Sequence, residues 1–456
     1  MFIIIRSLLV LTLVLSLGVD NVNAFKLSIE IGNEEEFRLQ SQTFLFGSYV
    51  NQRRVIDSVY SNNSVLFELS NSLPKGLYNI MIYTDMKDIE GKYQRLAFDV
   101  LIDGKDMEFI VEVKEDHTLG AVSARAGENR GYYDHFNESF NRKKRMEVVR
   151  EIGEKYPPGD DFHLQLAAQA EKLLLEHQKA TLSIGKAQIY PMAEFYFQTQ
   201  KAVEAKTIEN IDFRNPLLKH SQFIPMLIWE YMNADIDEKL SPASATQKLN
   251  NRFQTVFQKL KVDSEVHEIM LADMIKYYTK IGDHETVLYL NENFLLAEVC
   301  ENQALTDKIK AKNESLKKML VGEIAPNIEF GPSSAIKDLY TVEAGYTLLL
   351  FWESSCPHCK DVIKELSTIY NVNYKAEFEV VAISLDTVMA EYTAFVSANR
   401  LPWFNFADFE GWDGKNPVLY NVASTPSLFL LDRQKRIVAK PRSVNDIKAY
   451  FSTLKK

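Results

Sequence analysis

Cys356-Pro357-His358-Cys359 is the stretch of this 456-residue chain whose residue types and spacing could do chemistry. It follows an apolar run, Tyr346–Phe351, and opens a segment, Cys356–Ile369, with helical spacing. Two cysteines three apart at a helix start can reach bonding distance across one turn. The orphan amides and the positive dipole end at that position stabilise a thiolate. Cys356, at the exposed end, is expected to have the lowered pKa. Cys359, one turn in, is expected to be shielded. Such a pair provides an attacking thiol and a resolving thiol. Pro357 suits an early helical position, where its missing N–H costs nothing. His358, when protonated, would favour the Cys356 thiolate further.

Two other readings of the pair carry less weight. A zinc site wants about four ligands, and one C-x-x-C supplies two. The third cysteine, Cys300, lies in a different segment, and His358 is the sole histidine after residue 320. A purely structural disulfide at this spacing closes too small a loop to stabilise much. Cys300 reads as a small buried hydrophobe on a helix. No resident metal or cofactor is expected beyond a redox-active Cys356–Cys359 disulfide.

The elements that must hold this pair form the last of three stretches with different periods. Residues 1–24 (Met1 to Ala24) have a single basic side chain, Arg6, then an apolar run of about 11 residues and small or neutral residues before Ala24. That is the pattern of a cleaved secretory signal and is short of the ~20 residues that span a bilayer. From 25 to 128 the sequence tends to alternate. Strands are expected over Thr43–Tyr49, Ser64–Leu69, Leu77–Tyr83, Leu96–Leu101 and Met107–Val113, which suggests an antiparallel β domain. From 129 to 320 the period is helical. Segments such as Pro191–Lys206, Pro216–Asn233, Ser241–Lys261, Ser264–Tyr278 and His284–Val299 are joined by short turns. From 321 to 456, buried strand runs (Tyr346–Phe351, Phe378–Ser384, Ser427–Leu431) alternate with helical ones, as in an α/β layer. The fold class is therefore multidomain α and β: an antiparallel β domain, an α-helical middle and a C-terminal α/β domain.

Composition narrows the function classes. With 46% hydrophobic and 25% charged residues the chain is globular, and its length suits about three domains. A net charge of −10 offers no basic surplus for phosphates, so nucleic acid is not an expected partner. Three cysteines are too few for a disulfide-stapled scaffold. Dinucleotide-binding, P-loop and zincin signatures are missing from the sequence.

From about Gly322 to Lys456 the chain resembles thioredoxin-fold, TlpA/ResA-like thiol–disulfide oxidoreductases of the bacterial envelope. The resemblance is carried by Gly322-Glu323-Ile324-Ala325-Pro326, Phe351-Trp352-Glu353-Ser354-Ser355-Cys356-Pro357-His358-Cys359-Lys360, Ser384-Leu385-Asp386, Trp403 and Thr425-Pro426. The whole arrangement, β domain first and helices between, resembles Bacteroidetes members of that group. The resemblance implies catalytic Cys356 and Cys359, a redox-tuning Pro357-His358 dipeptide and a cis peptide at Thr425-Pro426 facing the pair. It also implies a client-binding surface including Trp352, Thr425 and Pro426. Client proteins with disulfides or dithiols, a membrane-bound redox partner and a periplasmic or envelope location follow from it. The sequence departs from that family in two places. Leu350 stands where a buried acid is common, and Val362 where a glutamate is, which leaves Glu353 as a candidate proton acceptor for Cys359. The Pro-His dipeptide itself looks like that of DsbA-type oxidants. The reading is thus a reductase, with an oxidant or isomerase as the rival, and a binding or scaffold protein with a regulatory dithiol as the rival of another class.

Overall fold

The structure is a computed structural model describing residues 24–32, 40–62, 64–87, 92–114, 118–184, 190–234, 242–299, 302–331, 334–370 and 377–454. The expected signal segment, apart from Ala24, and Cys300 lie outside the described residues. The chain divides into two compact units, one ending at His267 and one beginning at Glu268.

The first unit opens with eight strands: β1 (Ala24–Ile31), β2 (Gln40–Tyr49), β3 (Gln52–Asn62), β4 (Ser64–Ser70), β5 (Gly76–Lys87), β6 (Tyr93–Ile102), β7 (Met107–Val113) and β8 (Leu119–Ala124). They form two sheets, ordered β4-β1-β7-β8 and β3-β2-β5-β6. Alternation builds the core between them. In β1, Phe25, Leu27, Ile29 and Ile31 are buried; in β7, Met107, Phe109, Val111 and Val113 are. One pairing departs from the all-antiparallel expectation: β1 runs parallel to β7, with Leu27 opposite Met107 and Ile31 opposite Val111. β3 was not among the expected strands. It is a sheet edge, and its sequence, QRRVIDSVYSN, is largely polar because edge strands have little to bury.

Helices follow: α1 (Gly127–Gly153), α2 (Asp161–Ile184), α3 (Pro191–Glu204), α4 (Pro216–Lys219), α5 (Phe223–Asn233) and α6 (Pro242–Leu260). The expected single helix over Pro216–Asn233 is two. Ser221 divides them: its hydroxyl donates to the Leu218 carbonyl and accepts the Phe223 N–H, which closes a turn between the two helices. Helix α7 (Ser264–Lys280) spans the boundary between the units.

The second unit continues with α8 (His284–Leu290), a π-helical turn over Asn291–Leu295, α9 (Leu296–Glu298) and α10 (Gln303–Lys317). The α/β layer comes next: β9 (Tyr346–Trp352), α11 (Pro357–Ile369), β10 (Phe378–Ser384), α12 (Met389–Asn399), β11 (Phe404–Ala407), α13 (Lys415–Leu419), β12 (Ser427–Asp432), β13 (Ile437–Ala439) and α14 (Val444–Leu454). The sheet order is β11-β10-β9-β12-β13. β9, β10 and β11 are parallel, while β12 runs antiparallel to β9 and to β13. β9 is central and buried on both faces, which explains its unbroken apolar sequence. One face packs Leu348, Leu350 and Trp352 with Ile363, Leu366 and Phe451. The other packs Leu349 and Phe351 with Ile328, Phe330 and Tyr420. The short strand β11 was not expected; its four residues are all only half-buried, so no apolar run marks it. The observed sequence of layers is β-rich, helical, then α/β, as the composition and periods require.

Candidate active site

Strand β9 ends at Trp352, and four residues later Cys356 caps helix α11. Its backbone is extended (φ −76°, ψ 117°), and its Sγ accepts the Cys359 N–H at 3.4 Å. Pro357 occupies the first helical position, where no N–H is missed. Helix α11 is amphipathic, turning Cys359, Ile363, Leu366 and Ile369 inward. That pattern fixes the two sulfurs in different surroundings. Cys356 is half-buried; Cys359 is wholly covered and sits in the apolar cluster with Leu350 and Trp352. Both are free thiols.

The third contributor arrives from 69 residues downstream. The β12 register, Ser427 opposite Phe351, brings the preceding Thr425-Pro426 beside the pair. That peptide bond is cis. The Cys356 Sγ–H donates to the Thr425 carbonyl at 3.6 Å. The Thr425 hydroxyl donates to Glu353 Oε2 at 3.4 Å.

The electrostatics follow from these contacts. Partial burial pushes the Cys356 thiol up, but the Cys359 thiol, the Cys359 N–H, the Thr425 hydroxyl and the His358 N–H outweigh it. The net shift is downward. Burial pushes Cys359 up to about 12, reinforced by its hydrogen bond with the Cys356 thiol. Iodoacetamide should therefore label Cys356 with a pH midpoint below that of a free thiol and leave Cys359 unlabelled up to pH 10. Mass spectrometry across a pH series reads both sites, and equal labelling would contradict the asymmetry.

Several expected residues occupy other places. His358 is exposed, and its backbone N–H is among the groups that lower the Cys356 thiol. Trp352 is fully buried against Tyr392 and Phe395, so it supports the site from behind and cannot present a client surface. Its position at the end of the central strand β9 dictates this. Leu350, where an acid is common, is fully buried among apolar neighbours, and Asp361 and Glu365 are exposed, Glu365 pairing with Lys448.

One group the sequence did not assign a role is Asp386, just past β10. Its buried carboxylate accepts the Ser354 N–H (3.1 Å to each oxygen), the Ser354 hydroxyl (2.7 Å) and the Ser384 hydroxyl (2.6 Å). It thereby ties down the loop two residues before Cys356. Among the described residues no group of three His, Cys, Asp or Glu side chains converges as a metal ion would require.

Residues 345–437 match the family model described as thioredoxin-like. The C-terminal α/β layer is a thioredoxin-like domain. Solved structures similar to parts of the chain include a thioredoxin-like protein from Bacteroides caccae. It is 18% identical, covers 56% of this chain and 93% of its own, and has a TM-score of 0.43. A domain of a "possible thiol-disulfide isomerase" from Cytophaga hutchinsonii is 27% identical over 30% of this chain and 93% of its own, with a TM-score of 0.27. A thiol-disulfide oxidoreductase from Bacteroides fragilis is 24% identical over 29% of this chain and 99% of its own, with a TM-score of 0.26. No curated protein matches the chain. The thioredoxin-like domain thus holds the dithiol at the start of the helix that follows its central strand.

Proposed function

We propose that this chain is an exported thiol–disulfide oxidoreductase acting on client proteins through Cys356 and Cys359, in the reductive direction. The unequal pair of sulfurs carries the reading: one accessible and supplied with hydrogen-bond donors, the other covered and raised to about 12. In the forward reaction the Cys356 thiolate attacks a client disulfide and forms a mixed disulfide, releasing one client thiolate. Cys359 loses its proton and attacks Cys356 Sγ. The second client thiolate leaves, and the pair ends as a Cys356–Cys359 disulfide. A membrane-bound redox partner then returns two electrons to the pair. The chemistry belongs to residues 321–456 in the proposed division of the chain, with residues 1–24 as the export signal and the periplasm or cell envelope as the location. Thr425 and Pro426 are the proposed client-binding residues, with Pro357 and His358 tuning the potential.

One observation favours the opposite direction. Donors aimed at Cys356 stabilise the reduced form, which makes a dithiol more oxidising. Equilibration of the full chain with glutathione decides between them. A potential near −270 mV, thioredoxin's value, supports the reductase, and one near −120 mV, that of DsbA, the oxidant. Catalysed reduction of insulin by the full chain with dithiothreitol is the direct test. A rate at the reagent background in that assay, with no dithiol oxidation catalysed either, would return the chain to a binding role.

A further inference from the structure

Thr425 turns its backbone to the reacting sulfur, its carbonyl accepting from Cys356 Sγ at 3.6 Å. It stands between α13 and β12 and belongs to neither, so no ladder of the sheet holds it. Two anchors reach this connection from helices that precede the α/β layer. The first is Ser424, next to Thr425. Its hydroxyl donates at 2.7 Å to the carbonyl of Lys280, 144 residues away. Lys280 ends α7, where carbonyls lack intrahelical donors. The Ser424 carbonyl in turn accepts the Ser427 hydroxyl at 2.7 Å, so the residue is held from both sides. The second anchor is Asn421, which is buried and takes the left-handed conformation (φ 52°) that asparagine adopts more readily than most residues. Lys312 Nζ, from α10, donates to its Oδ1 at 2.6 Å. Its Nδ2 donates to the Ser315 hydroxyl at 3.0 Å and the Ser315 carbonyl at 3.3 Å, also on α10. An amide that accepts and donates on one helix is fixed in both place and rotation. Lys280, Lys312 and Ser315 lie in the same compact unit as the dithiol.

We propose that α7 and α10 set the affinity for protein clients, by holding Thr425 where the backbone of a client segment lies beside Cys356. Lys312, Asn421 and Ser424 are then positioning residues that act on the client through Thr425. The inference rests on the reading of Cys356 and Thr425 given above, and it assigns helices outside the α/β layer a part in that reaction. The physical reason is preorganisation. An extended segment that pairs with main-chain groups already in place loses less affinity to ordering than one that must first arrest a loose connection. The thiol itself does not depend on the anchors, because Cys356 caps α11 and accepts the Cys359 N–H at 3.4 Å. A protein disulfide therefore senses the anchors, and a small disulfide with no peptide to seat does not.

The full-length chain in a Cys300→Ser background tests this with two disulfides, insulin and 5,5′-dithiobis(2-nitrobenzoate). Lys312→Met removes the donor on α10. Asn421→Gly removes the amide while suiting the left-handed backbone. Ser424→Ala removes the bond to Lys280. Each should raise KM for insulin about fivefold, the scale of one lost hydrogen bond, and leave kcat within about twofold. The first release of thionitrobenzoate in stopped flow, which reports attack by Cys356, should stay within about twofold. Lys312→Met and Asn421→Gly break the same bond, so the double variant should do little more than Asn421→Gly alone, whereas Ser424→Ala should multiply the effect. A merely structural role would lower the melting temperature without this split between substrates. An unchanged insulin KM in the Asn421→Gly, Ser424→Ala double variant, or equal slowing with both disulfides, overturns the anchoring. A parent chain that attacks the small disulfide and leaves insulin at the reagent background overturns the client reading instead.

Discussion

Cys356→Ser should bring insulin reduction down to the reagent background, a loss of about three orders of magnitude or more. A serine hydroxyl cannot form the covalent intermediate, and nothing else at the site can replace it. Cys359 is covered and its thiol is pushed up to about 12, so it stays protonated and out of reach. Cys359→Ser should fail differently. Cys356 keeps the amide N–H at position 359 and the contacts from Thr425 and His358, so it still captures a client. The mixed disulfide then persists because no second sulfur displaces the client. Non-reducing electrophoresis should show this adduct in Cys359→Ser and not in Cys356→Ser. Retention of more than about a tenth of the activity by Cys356→Ser, or capture by the wrong variant, would place the nucleophile elsewhere.

Asp386→Ala should have the largest effect on stability among residues that never touch a client. It removes the acceptor for three donors, the Ser354 amide and hydroxyl and the Ser384 hydroxyl, all in buried residues. Leaving buried donors unpaired costs about 1–3 kcal/mol each, and relaxation recovers part, so about 3–5 kcal/mol is expected for the set. For a unit of this size that corresponds to a fall in melting temperature of about 10 °C. The Ser354 anchor lies two residues before Cys356, so the thiol environment should loosen as well. Calorimetry should show the lowered transition, and the Cys356 labelling midpoint should move toward that of a free cysteine. Asp386→Asn, which retains one acceptor oxygen, should fall between. A change in melting temperature below about 2 °C in Asp386→Ala would show that the loop is held by its packing alone.

The parts of the site legible in the sequence are those built by neighbours. Cys356 and Cys359 are three residues apart, and a helix start dictates their relation, so capping and shielding could be read directly. The central strand β9 was equally plain, because burial on both faces leaves an unbroken apolar run. Contacts that depend on register were hidden. Thr425 meets Glu353 from 72 residues away, and Asp386 meets Ser354 from 32. No local pattern encodes either, although family resemblance pointed to Thr425 and to Ser384-Leu385-Asp386. Trp352 shows the reverse case. The family resemblance implies a client contact for it, but the alternation of β9 places it on the same inward face as Leu348 and Leu350. The contribution of the His358 amide follows from its second helical position, which the residue type alone does not announce. The edge strand β3 and the break at Ser221 escaped for local reasons: one has little to bury, and the other turns on a single hydroxyl.

The unequal depth of the two sulfurs also bears on damage. Hydrogen peroxide meets Cys356 first, because Cys359 exposes nothing. The sulfenic acid formed there condenses with the thiol beneath it, expelling water and leaving the ordinary disulfide. Further oxidation to sulfinic acid would have to outrun a partner already in place. The cover over Cys359 thus keeps an unoxidised thiol beside Cys356, which holds the site within the reversible part of cysteine oxidation.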